Sequence, residues 1–108
     1  MKTQFTKGKW IETIHDYIKG EIFIYCNEKP IIRIAINNYA TKSEAEAIAN
    51  SKLIAAAPEM FYRTVLLANS EGCQYAFDLI EKVTGKKYTF NSKEFNILVE
   101  EAKAFFIA

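Results

Sequence analysis

The sequence predicts an α+β fold, with an N-terminal three-stranded antiparallel sheet packed against about four helices. Three observations carry this. Alternating apolar residues fill short segments up to residue 36, helical spacing takes over from residue 41, and turn formers separate the segments. With 108 residues, half of them hydrophobic and a quarter charged, the chain has the balance of one ordinary globular domain, 1–108. That length buries a core without metal or disulfide staples.

Residues 10–15 form the first expected strand. In residues 21–26, Ile22, Ile24 and Cys26 share one face while Phe23 and Tyr25 take the other, and residues 31–36 form the third strand. Gly20 marks the first turn. Asn27-Glu-Lys-Pro30 is short enough for a hairpin, with Pro30 at a strand entrance where a missing N–H is tolerated. The sheet therefore spans about residues 10–36 as a meander, apolar enough for both faces to be at least partly covered.

Thr41 with Glu44 three residues on is a capping box for a helix over 42–57, whose Ala45, Ile48, Ala49, Leu53 and Ala56 share one face. Pro58 cannot continue that ladder, so a second helix is expected over 58–68. After the turn cluster Asn69-Ser-Glu-Gly72, a stripe of Tyr75, Ala76, Leu79, Ile80 and Val83 marks a third helix over 73–84, and Gly85 suits a left-handed C-terminal cap. The fourth helix, 92–106, has Asn91 as its cap, Glu94 completing a box and Phe90 stapled onto Phe95. Leu98, Val99, Ala102 and Phe106 continue its apolar face.

Two pieces of the chain, Phe5-Thr-Lys-Gly-Lys-Trp10 and Glu44-Ala-Glu-Ala-Ile-Ala-Asn-Ser-Lys-Leu-Ile-Ala-Ala-Ala-Pro-Glu-Met60, resemble a group of small bacteriophage and prophage proteins. That group opens Thr-Pro-Gly-Pro-Trp and carries an Asn-Ala-Lys-Leu-Ile-Ala-Ala-Ala-Pro-Glu segment before an apolar helix. Lys7 and Lys9 replace both prolines of the opening, and Ser51 stands where the group has Ala, a small-for-small change that keeps the packing face. The resemblance covers residues 5–62. It implies a phage origin and a place in the cytoplasm of the infected cell, and it carries over no catalytic residue.

Fourteen basic and thirteen acidic residues leave a formal net charge of +1, so the long-range pull of a strongly basic domain on nucleic acid is absent. Nucleic acid is not an expected partner. Cys26 and Cys73 have no metal-ligand spacing, and no apolar run approaches the roughly 20 residues that span a bilayer. The first residues also lack the apolar segment of a signal peptide. We expect a cytoplasmic protein with two free thiols, no metal, no cofactor and no membrane association.

His15, the single histidine, neighbours Asp16, but adjacent strand residues point to opposite faces and nothing near them marks a nucleophile. Glu44 and Glu46, like Glu100 and Glu101, are too close in helix sequence to face each other. No phosphate loop or paired-glycine fingerprint is present in the sequence. An enzyme is not expected.

Aromatic residues are the more informative feature. Trp10, Tyr17, Phe23, Tyr25, Tyr39, Phe61 and Tyr62 lie in or beside the sheet and first helices, near Arg33 and Arg63, the only arginines. Aromatic faces stack on bases and Arg grips phosphates through two parallel hydrogen bonds. Trp10, Tyr25, Arg33, Tyr62 and Arg63 are therefore the candidate ligand-binding residues, although core packing explains aromatics more often. The expected function is a phage accessory protein that antagonises host defence by sequestering a small nucleotide-derived signal without turnover. The rival readings are a protein-binding inhibitor of a host enzyme or defence effector, and a structural or regulatory oligomer. Phe105-Phe106-Ile107 is more apolar than one helical face needs, which predicts a homo-oligomer, most simply a symmetric dimer. In the competing account the tail folds back over the sheet.

Overall fold

Among the described residues an antiparallel sheet of three strands precedes four helices, an α+β fold. The computed structural model describes residues 5–13, 21–35 and 44–107. His15, Asp16, Tyr17, Gly20, Ile36, Tyr39 and the Thr41 cap lie outside the described residues. The chain divides into two compact units, Thr6–Pro58 and Met1–Phe5 with Glu59–Ala108.

The first unit holds β1 (Ile11–Thr13), β2 (Glu21–Cys26), β3 (Lys29–Ala35) and α1 (Glu44–Ala55), with strand order β1-β2-β3. On β2, Ile22, Ile24 and Cys26 are buried while Phe23 and Tyr25 are half-buried, the alternation expected of a pleated strand. The turn after β2 is tighter than the four residues anticipated. Asn27 and Glu28 alone make it, both at positive φ (53° and 67°), as the favoured two-residue hairpin turn requires. Lys29 pairs with Cys26 and Pro30 with Tyr25, but Ile24 pairs with Ile32, so Ile31 is an extra residue on β3. Such a bulge beside Pro30 is where a strand best accommodates a residue without an N–H.

Ahead of β1, the Trp10 indole N–H donates to the Thr6 carbonyl at 3.1 Å, and the Cys26 thiol donates to the Lys7 carbonyl at 3.0 Å. Gly8 sits between these two bonds at φ +111°, and a Cβ there would lie 3.0 Å from Cys26 Sγ. Only glycine suits that position. The opening is thus fixed by side chains rather than by prolines.

Helix α1 lies on the sheet, but on a different face from the one its sequence pattern picks out. Ala47 and Ser51, four residues apart, are fully buried, whereas Leu53 is 61% exposed and Ala45, Ala49 and Ala56 are exposed. Apolar residues surround this helix, so spacing alone selects no face. The buried hydroxyl of Ser51 is satisfied, and the small side chains allow close packing on the strands.

The second unit is built from α2 (Ala57–Glu71, whose first two residues belong to the first unit), α3 (Gln74–Thr84) and α4 (Lys93–Ile107). Pro58 falls in the first turn of α2, where its missing N–H costs nothing. That helix runs through Asn69-Ser-Glu71 instead of ending at residue 68. Gly72, at φ +62°, stops it, its N–H donating to the Ala68 carbonyl at 2.9 Å. Gly85 caps α3 in the left-handed region (φ 75°) as its sequence indicates. The α4 cap moves by one residue: Ser92 Oγ accepts from the Phe95 N–H at 3.1 Å, while Asn91 is left-handed at φ 63°. Phe90 does not act as a staple. It is 59% exposed, and Phe95 is fully buried among the rings of Phe77 (4.9 Å) and Tyr88 (6.4 Å).

The buried side chains of α2, α3 and α4 form one cluster that includes Phe61, Tyr62, Val65, Ile80, Phe95 and Leu98. Each large apolar side chain so buried contributes about 1.5–3 kcal/mol before chain entropy is set against it. The tail folds onto α2: Phe105 stacks on Tyr62 at 4.9 Å, Phe106 lies under Arg63, and Ile107 alone stays 85% exposed. Most of the apolar surface that argued for association through the tail is therefore covered within the unit.

Candidate functional site

The five candidate residues fall three in one unit and two in the other. On the sheet, register places Ile11, the residue after Trp10, opposite Tyr25, and Arg33 opposite Phe23. Trp10 is half-buried with its N–H committed to the loop, and the Tyr25 ring leans on Phe23 at 6.2 Å.

Tyr62 is a core residue. It is 2% exposed, rings of Phe5, Phe61 and Phe105 surround it, and its hydroxyl donates to Glu101 at 2.5 Å. This short bond to a carboxylate is of the strong, charge-assisted kind. Glu101 also shapes its neighbourhood: burial first, then the charges of Glu101 and Glu94, push the Tyr88 phenol above its ordinary value.

Arg63 is the candidate that reaches the surface. Its guanidinium sits 4.7 Å over the Phe106 ring and its Nε lies 3.5 Å from Glu59, one turn earlier. Two-thirds of its side chain is exposed, so the ion pair contributes little and the charge remains available. Met60 and Leu67, 47% and 44% exposed, flank it at spacings of three and four residues. Together they form one outward face of α2.

Sequence reasoning missed this grouping, although the spacing of Met60, Arg63 and Leu67 signals it. It also merged two stripes on α3. Ala76, Phe77 and Ile80 are buried, while Tyr75, Leu79 and Val83 are 82%, 52% and 56% exposed. A shallow depression on α4, lined by Asn91, Lys93, Asn96, Ile97 and Glu100, has neither Arg nor an aromatic ring. Among the described residues no cluster of His, Cys, Asp or Glu could hold a metal ion, and both cysteines are free thiols. No helix among them is long and apolar enough to cross a membrane.

No curated protein and no solved structure matches the chain. A family model does, over residues 1–102, nearly the whole length on which this two-unit α+β arrangement is built. The chain belongs to the bacteriophage family described as Salmonella phage P22 protein Y8K6.

Proposed function

We propose that this phage accessory protein acts without catalysis, in the cytoplasm of the infected cell, by covering a surface of a host protein with the outer face of α2. The observation that supports the reading is the exposed Met60–Arg63–Leu67 face with Arg63 seated on Phe106. Met, Arg and aromatic residues are the types enriched at the centres of protein interfaces. A guanidinium held over a ring also presents its donors in a fixed plane, so little entropy is lost when a partner carboxylate engages it.

The test is affinity capture from phage-infected cells with wild-type protein and the Arg63→Glu variant, scored by quantitative mass spectrometry. The reading expects a host protein retained by wild type and lost by Arg63→Glu. Identical capture by both would overturn it.

A second reading, sequestration of a small nucleotide-derived signal, draws on the same pairing, since the guanidinium that Phe106 holds offers donors to a phosphate and its own outer plane to a base. Here a ligand raises the melting temperature by mass action. A shift with a cyclic di- or trinucleotide or an ADP-ribose derivative, abolished by Arg63→Ala and kept by Arg33→Ala, supports this reading. No shift across the panel leaves protein binding as the better account.

A further inference from the structure

Helix α3 carries apolar residues on two stripes and buries only one. Tyr75, Leu79 and Val83 recur every four residues on the outer stripe, so they form a row about 12 Å long, inclined to the helix axis. Three such side chains expose an apolar area on the order of a few hundred Å², the size at which a monomer's patch usually has a use.

We propose that this strip is the dimer interface of the protein, with a second copy of α3 laid antiparallel across it. Two features select a second copy. The strip is self-complementary about Leu79: a two-fold axis through that residue sets Leu79 on its counterpart and puts each Tyr75 against the partner's Val83, large against small. Tyr75 is the most exposed of the three, and Val83 is the side chain small enough to receive it. The charges beside the strip agree. Asp78 precedes Lys82 on one flank, both exposed, so antiparallel pairing brings Asp78 beside the partner's Lys82, whereas parallel pairing sets that flank against the partner's opposite flank and leaves the two charges unpaired. Asp78 is oriented by Gln74, whose amide donates to it at 2.9 Å.

The area is below the roughly 800 Å² per partner of a standard interface, so the dimer is weak, with a dissociation constant on the order of tens of micromolar. It uses α3, leaving the α2 face to the host protein.

Sedimentation equilibrium of the full chain, under reducing conditions to exclude disulfide dimers, tests this. Wild type is expected to pass from monomer to dimer over this concentration range. Leu79→Glu should raise the dissociation constant by about tenfold or more with unchanged circular dichroism. Lys82→Asp should weaken the dimer by setting Asp against Asp78, and the double change Asp78→Lys with Lys82→Asp should restore it. Because all three positions are exposed, folding is not at stake in these variants. A monomer at all concentrations, or a dimer indifferent to Leu79→Glu, would overturn the proposal, as would a double variant no tighter than Lys82→Asp.

Discussion

The hydroxyl of Ser51 lies 2.8 Å from a carboxylate oxygen of Glu12, tying the middle of α1 to β1 across 39 positions of sequence. The same hydroxyl is 2.7 Å from the Ile48 carbonyl, so its one hydrogen serves two acceptors. Ser51 is fully buried, which places this sharing away from water, where a hydrogen bond to a charged group counts for most. A small side chain at this position therefore does more than fill space: its hydroxyl adds a polar tie between helix and sheet.

Ser51→Ala is expected to lower the stability of the sheet unit by about 1–3 kcal/mol. Glu12→Ala should cost less, because Ser51 keeps the Ile48 carbonyl as a partner. In a double-mutant cycle the two changes should couple by about 1 kcal/mol, read from urea midpoints at constant m-value. Strict additivity would mean that the bond does not act in solution.

Gly8→Ala should destabilise the same unit by about 1–3 kcal/mol, through its positive φ together with the crowding of Cys26 Sγ at 3.0 Å. Cys26→Ala in the same chain should recover part of the loss. Gly72→Ala, where a Cβ meets nothing within 4 Å, pays only for φ +62° and should cost less. Thermal denaturation of the three variants separates the steric part from the conformational one.

Tyr88 sets an alkaline limit. Its folded-state value lies above the ordinary 10.0, so on raising the pH the unfolded chain loses the phenol proton first. Stability from this group is complete below about pH 10 and declines as pH rises through the folded value. Urea midpoints measured between about pH 9 and pH 11 should fall, and fall less steeply in Tyr88→Phe. An identical slope in the two proteins would remove Tyr88 as the cause.

How far the sequence can be read depends on which interactions are local. The β2 alternation, the break at Pro58 and the Gly85 cap depend on backbone rules within a few residues, and all three are legible. The buried face of α1 is not, because alanines on every side erase the periodicity and Ser51 finds its partner on a distant strand. The α4 cap shifts from Asn91 to Ser92 because two adjacent residues are both good caps, and a left-handed Asn91 settles the choice. For the candidate site, residue type points to Arg63 but cannot separate an exposed guanidinium on Phe106 from the neighbouring Tyr62, whose ring belongs to the core. One position along a helix turns a side chain by about 100°, enough to exchange surface for interior.

The most direct test of the α2 face is site-specific photo-crosslinking in infected cells, with a photoreactive residue at Leu67 in one protein and at exposed Lys93 in another. The account predicts a discrete adduct with one host protein from position 67, suppressed when Arg63→Glu is added, and none from position 93. No adduct from position 67, or the same adducts from both positions, would contradict it.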